Sequence, residues 1–127
     1  MHPIRRINTI FVYVRDMEQA KHFYSETLGL GKPLIDSKFW VEFTLPGGDT
    51  HFALHHSEKH PRNDSAFGTF KLSFEVHDIQ KVAAHLKEHG VKFHYEPRKE
   101  HGFWLAEFED QEGNALRLYQ RDHSTAH

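Results

Sequence analysis

Hydrophobic and polar positions change period along the first thirty residues. From Asn8 to Val14 the chain is dense in β-branched and aromatic side chains and bounded by polar ones, which predicts a strand. Asp16 then stands where a helix N-cap belongs, and Gln19, three residues on, completes a capping-box spacing. Met17, Ala20, Tyr24 and Leu28 follow at helical spacing with Phe23 beside them, and Gly29 stops the helix as a left-handed cap. The design returns 62 positions later, Asp78 repeating Asp16 and Val76 repeating Val14. There Ile79, Val82, Ala83 and Leu86 form the apolar stripe before Gly90. A repeat of this length marks a duplicated half-domain.

The remaining pattern fills in each half. Leu34-Ile35 begin a short strand. Lys38 to Leu45 alternates, with Phe39, Val41, Phe43 and Leu45 on one face and Trp40, Glu42 and Thr44 on the other. Pro46-Gly47-Gly48-Asp49 is a hairpin turn, and His51 to His56 returns as an antiparallel strand. In the second half, Val91 to Tyr95 is expected to be a strand ended by Glu96-Pro97, with a charged loop from Arg98 to Gly102. Phe103 to Phe108 and Asn114 to Tyr119 then form a hairpin. Each half reads βαβββ. The expected fold is α+β: two tandem modules, about residues 7–56 and 69–120, joined by a polar linker at 57–68 and followed by a tail at 121–127. The modules are expected to form a curved, cup-like mixed sheet with helices on its outer face, within one domain spanning 1–127. A small molecule would sit in the cup.

Composition narrows the class. A chain of 127 residues can build a real core. Its net charge of −2, with both signs interspersed, lacks the basic stripe of a nucleic-acid binder. The chain has no cysteine, so disulfide scaffolds, thiolate metal sites and Cys nucleophiles are excluded, and a reducing, cytoplasmic setting fits. The basic residues before the first apolar run suggest a signal peptide, but that run is strand-like and has no small-residue cleavage site. No stretch reaches the ~20 apolar residues of a membrane span.

Three segments carry a family resemblance: VRDMEQAKHFYSETLGL, FEVHDIQKVAAHLKEHGV and the closing FEDQEGNALRLYQ. In order and spacing they resemble the vicinal oxygen chelate superfamily, which holds glyoxalases, extradiol dioxygenases and fosfomycin- and bleomycin-resistance proteins. The resemblance implies a homodimer. It also implies a divalent metal held from the first and last strand of each module, positions that fall here on Thr9, Ala53, Lys71 and Arg117. None of these is His, Glu or Gln, and two are cations, so the usual metal centre is not expected. The fold itself does not fix the reaction.

The 13 histidines do not restore a metal site. His51 and His55 share a strand face but lie ~13 Å apart at strand rise, too far for one ion. His55 and His56 point to opposite faces, and His85 and His89 lie on a helix away from its apolar stripe. Alternation instead places Thr9, Phe11 and Tyr13, then Lys71, Ser73 and Glu75, then Leu105, Glu107, Ala115, Arg117 and Tyr119 on the inner face. Trp40, Glu42 and Thr44 join them, and His51 or His55 is a candidate polar group there. These charges either neutralise one another where a metal once sat, or leave a remainder that recognises a polar ligand between aromatic walls. The expected function is metal-free binding of a small polar or aromatic molecule, without a cofactor. The alternative is a lyase, isomerase or dioxygenase using displaced metal ligands. A metal-independent enzyme would use Glu75 or Glu107 as base beside Lys71 or Arg117, but a carboxylate next to a cation is a weak base.

Overall fold

A computed structural model describes residues 3, 5–58 and 72–121. Lys71, most of the expected linker and the tail beyond Arg121 lie outside the described residues. The chain divides into two compact units, Met1–Pro61 and Arg62–His127. Each is a βαβββ module with a four-stranded mixed sheet, as the α+β reading predicts.

In the first module the strands are β1 (Thr9–Val14), β2 (Ile35–Asp36), β3 (Trp40–Phe43) and β4 (His51–His56), in spatial order β1-β4-β3-β2. The β1–β4 pair is parallel and the others antiparallel, so the chain needs a crossover between β1 and the rest. Helix α1 (Met17–His22) supplies it. The Asp16 carboxylate accepts the Gln19 N–H at 3.0 Å, which caps the helix as its spacing predicts. The sequence reading carries one α-helix to Leu28. Instead the chain widens to a π-helical turn at Phe23–Thr27, where the Leu28 N–H bonds the Phe23 carbonyl at 2.7 Å. Phe23, Tyr24 and Thr27 all lie buried in that turn. Tyr24 meets Phe23 edge to face and Phe52 at a tilt, and with Val12, Val14, Val41, Phe43 and Leu54 they form the core beneath α1. Alternation groups Phe39 with Val41 and Phe43, but β3 begins only at Trp40 and Phe39 is 66% exposed, its ring near His56. Thr44 likewise lies beyond the strand and is exposed.

The second module repeats the plan with β5 (Leu72–Glu75), β6 (Phe93–Glu100), β7 (Phe103–Glu109) and β8 (Ala115–Arg121), in order β5-β8-β7-β6. Helix α2 (Ile79–Glu88) packs on β6, β7 and β8 and buries Ile79, Ala83 and Leu86. Asp78 caps its start through the Lys81 N–H. Gly90, at φ +80°, allows the Gly90 and Val91 N–H groups to bond back to Lys87 and Leu86, a complete Schellman stop.

The charged loop expected after Tyr95 is instead strand. β6 runs through Pro97 to Glu100, and the turn lies at His101-Gly102, both at positive φ. Pro97 is tolerated because β6 is an edge strand of its sheet, where one side of the backbone has no partner strand. Register breaks between Phe93 and Tyr95 and between Tyr95 and Arg98 absorb the irregularity.

Candidate functional site

With α1 covering one face of the first sheet, alternation turns Thr9, Phe11 and Tyr13, His51, Ala53 and His55, and Trp40 and Glu42 to the other. Register aligns them in rows: Thr9 with His51; Phe11, Ala53 and Glu42; Tyr13, His55 and Trp40. β4 lies between β1 and β3, so Phe11 and Trp40 start two strand spacings apart. Their rows differ by one step, Phe11 beside Ala53 and Trp40 beside His55, and with only the small Ala53 side chain next to Phe11 on β4 the two ring centroids come within 5.4 Å. His55 contacts Phe11, Tyr13 and Trp40 at 5.8, 5.2 and 5.7 Å. Four rings thus form one patch above a fully buried methyl. Two of them stay open to solvent, Phe11 at 44% and Tyr13 at 39% exposure. The Nδ1 atom of His55 is buried without a hydrogen-bond partner among the described residues.

At the edge of this patch stands Glu42. One carboxylate oxygen accepts the Trp40 Nε1–H at 2.7 Å and the other meets His51 Nδ1 at 2.5 Å. The hydrogen bond from His51, and secondarily that from Trp40, hold the Glu42 carboxyl below the usual glutamate range. Glu42 is therefore an anion at neutral pH, and it fixes both Trp40 and His51 in orientation. His51 and His55 lie on one face as the spacing requires, but serve different neighbours.

The second sheet is built on the same register with different chemistry. Ser73, Arg117 and Glu107 form one row and Glu75, Tyr119 and Leu105 the next. Glu107 therefore occupies the place in its module that Glu42 occupies in the first, while Arg117 replaces Ala53 and Ser73 replaces Phe11. Glu107 is only 8% exposed. The break in β6 register brings His94 over it, so that Nδ1 meets Glu107 and Nε2 meets Glu109, each at 2.7 Å. Arg117 Nη2 approaches the other Glu107 oxygen at 4.0 Å, and Glu75 pairs with Arg121 at 3.4 Å. Sequence reasoning placed His94 inside the expected strand Val91 to Tyr95 but missed it as a site residue, because its contacts with Glu107 and Glu109 depend on how β6 pairs with β7. The signal available was the alternation of Phe93 and Tyr95 around it.

Hydrogen bonds to Glu107 and then Glu109 raise the His94 pKa above the ordinary histidine value. A raised folded-state pKa gives stability that is fully present below the unfolded value of about 6.5 and is lost as pH rises through the folded value. Wild type is therefore expected to melt further above His94→Gln at pH 6 than at pH 9, in paired thermal scans. A gap that is constant or widens with pH would contradict this.

The family's metal positions can be tested on these side chains. Thr9 offers a hydroxyl that accepts from Asn8, Ala53 a methyl, and Arg117 a guanidinium. Among the described residues no three His, Asp or Glu side chains are grouped to hold a metal. This donor set does not fit a divalent ion. His85 and His89 stack at 4.3 Å on the exposed face of α2, where His89 Nδ1 donates to the His85 carbonyl at 2.9 Å. No helix among the described residues is long and apolar enough to cross a membrane.

Comparison with known proteins agrees with this architecture. YurT of Bacillus subtilis (strain 168) is 33% identical over 121 residues, covering 87% of this chain and 94% of its own. YetH of the same organism is 29% identical, covering 91% and 98%. Among solved structures, TnmS3, an antibiotic binding protein from Streptomyces sp. CB03234, is 28% identical with a TM-score of 0.77, covering 95% of this chain and 99% of its own. A glyoxalase/bleomycin resistance protein from Streptomyces sp. CB03234 is 31% identical with a TM-score of 0.70, covering 89% and 99%. The family model of the Glyoxalase/Bleomycin resistance protein/Dioxygenase superfamily matches residues 6–118, across both βαβββ modules, and the chain belongs to that superfamily.

Proposed function

We propose that this protein binds a small polar or aromatic molecule on the open face of its first sheet, and that it does so without the divalent metal of its enzymatic relatives. The observation that carries this reading is the patch of Phe11, Tyr13, Trp40 and His55 over Ala53. Exposed rings in van der Waals contact, flanked by an ionised carboxylate, offer a planar ligand a stacking surface and a hydrogen-bond acceptor. That TnmS3 is an antibiotic binding protein supports a small-molecule ligand. We take the chain to act as a single-domain, homodimeric cytoplasmic protein, as the family resemblance and the lack of cysteine imply.

A thermal-shift screen of aromatic antibiotics and simpler polar aromatics tests the reading. A hit is expected to quench tryptophan fluorescence in a Trp104→Phe background, where Trp40 is the sole indole. Trp40→Ala is expected to weaken the hit at least tenfold, about 1.4 kcal/mol, because aromatic anchors carry a disproportionate share of contact energy. Full affinity in Trp40→Ala would overturn the assignment. A stoichiometric metal surviving chelator dialysis, in a His85→Ala/His89→Ala background, would overturn its metal-free part.

A second reading, catalysis, draws on the Glu42–His51 pair. A carboxylate at Nδ1 leaves Nε2 as the basic atom of the ring, the arrangement a general base needs. Conversion of a bound hit that stops in His51→Gln while binding persists would select this reading.

A further inference from the structure

Helix α2 carries two exposed histidines one turn apart, at its C-terminal end and off the stripe that packs on the sheet. We propose that His85 and His89 form a two-imidazole clamp for a borderline first-row divalent ion, holding Cu²⁺ more tightly than Ni²⁺ or Zn²⁺. Spacing decides what such a pair can do. Residues four apart on a helix rise about 6 Å and lie on one face, whereas the same spacing on strand β4 parts His51 from His55 by about 13 Å. The rings of His85 and His89 accordingly meet, with centroids 4.3 Å apart and planes tilted by 43°. A tetrahedral ion that binds imidazole nitrogen at about 2.0–2.1 Å needs its two nitrogens about 3.3 Å apart, a span that rings in contact supply.

The orientation of His89 is set as a metal ligand requires. Its Nδ1 meets the His85 carbonyl at 2.9 Å, and a carbonyl only accepts, so in the neutral ring Nδ1 carries the proton and Nε2 the lone pair. Ligating histidines spend their other N–H on a backbone carbonyl in the same way, which fixes both tautomer and ring orientation. His85 has a further interaction of its own besides the ring contact, and one of its two nitrogens suffices for an ion. The backbone beneath the clamp is held. The His89 N–H bonds the Leu86 carbonyl at 3.1 Å and the Gly90 N–H that of Lys87 at 3.0 Å, while Ile79, Ala83 and Leu86 are buried on the helix's packed side. The partial negative charge of a helix C-terminus favours a cation there. Two imidazoles with water in the remaining positions suit Cu²⁺, Ni²⁺ and Zn²⁺, of which Cu²⁺ binds nitrogen most tightly, and do not suit Mg²⁺ or Ca²⁺, which demand oxygen. No residue of the aromatic patch takes part, so the clamp stands or falls independently of the ligand site proposed on the first sheet.

The test is a titration of the isotope-labelled whole chain with copper sulfate, read by NMR line broadening at the backbone amides and by electron paramagnetic resonance, with Ni²⁺, Zn²⁺ and Mg²⁺ as competitors. The first equivalent of Cu²⁺ is expected to broaden the amides from Ala84 to Gly90 before any others, to saturate in the micromolar range and to show two ligating imidazoles. Mg²⁺ is expected to displace nothing. His85→Ala and His89→Ala are each expected to weaken Cu²⁺ at least tenfold, because the second imidazole binds within the same molecule. Ala84→His combined with His85→Ala keeps the number of histidines but breaks their spacing, and is expected to bind as weakly as His85→Ala. Saturation only in the millimolar range, broadening centred on other histidines, or undiminished affinity in any of these variants would overturn the clamp. All three positions are exposed on α2, and if a variant nevertheless does not fold, the order of broadening in wild type still decides.

Discussion

Tyr24→Ala is expected to destabilise the protein by about 3–5 kcal/mol, the range for truncating a large buried aromatic side chain. Tyr24 is fully buried in the π-helical turn, with ring centroids 5.2 Å from Phe23 and 5.0 Å from Phe52. Phe52 in turn packs on Phe43 at 6.5 Å. Truncation leaves a cavity where α1 meets its sheet, and the surrounding rings cannot collapse into it without leaving their strands. The melting point should fall by roughly 10–20 °C, scaling from domains of neighbouring size. Tyr24→Phe, which keeps the ring, should cost about 1 kcal/mol. Urea denaturation of both variants checks the prediction, and a Tyr24→Ala midpoint close to wild type would refute the packing described. The expected consequence reaches the functional face, because β1 and β4 carry core side chains and patch side chains in alternation.

The next largest effect is expected at Glu107. Removing one partner of a buried charge network costs more than the network contributes, because the remaining charges stay behind unpaired. Glu107→Ala leaves His94 and Arg117 without their shared carboxylate. Both partners are about a third exposed, 34% and 32%, so water softens the loss to about 1.5–3 kcal/mol. Glu107→Gln, which keeps an acceptor for His94, should recover part of it. The deficit of Glu107→Ala should be larger at pH 6 than at pH 9, since His94 is cationic at the lower pH and loses one of its two carboxylate partners, keeping only Glu109. Denaturation at the two pH values measures this. Equal stability of Glu107→Ala and wild type at both would show that the carboxylate does not hold the cluster together.

The fold was legible because its signals are local. Alternation in β1 and β3, the capping residues Asp16 and Asp78, and the glycine stops each depend on a few neighbouring residues. The same alternation put Phe11, Tyr13, Trp40 and Glu42 on one face. That Phe11 touches Trp40 was not legible, because it depends on β4 pairing between two strands that are remote in sequence and on Ala53 being small at the crossing row. His94 was hidden for a similar reason: it lies within the expected strand, but its meeting with Glu107 and Glu109 depends on the pairing of β6 with β7. The length of β6 was misread because proline at position 97 is a valid sign of a strand ending in a sheet interior, and it misleads at an edge, where the missing N–H has no partner to lose. The π-helical turn has no recognisable sequence signature, since Phe23 to Thr27 fits an ordinary helical stripe equally well.

That proline-bearing border has a consequence for how chains meet. β6 closes the second sheet with Pro97, two breaks in register and four charged residues, Glu96, Arg98, Lys99 and Glu100. A strand from another molecule seeking to extend the sheet there would find an absent amide, a bent template and charge to desolvate. Strand addition along this side is disfavoured, so a copy or partner that meets this border does so through side chains, and this flank is guarded against amyloid-like stacking.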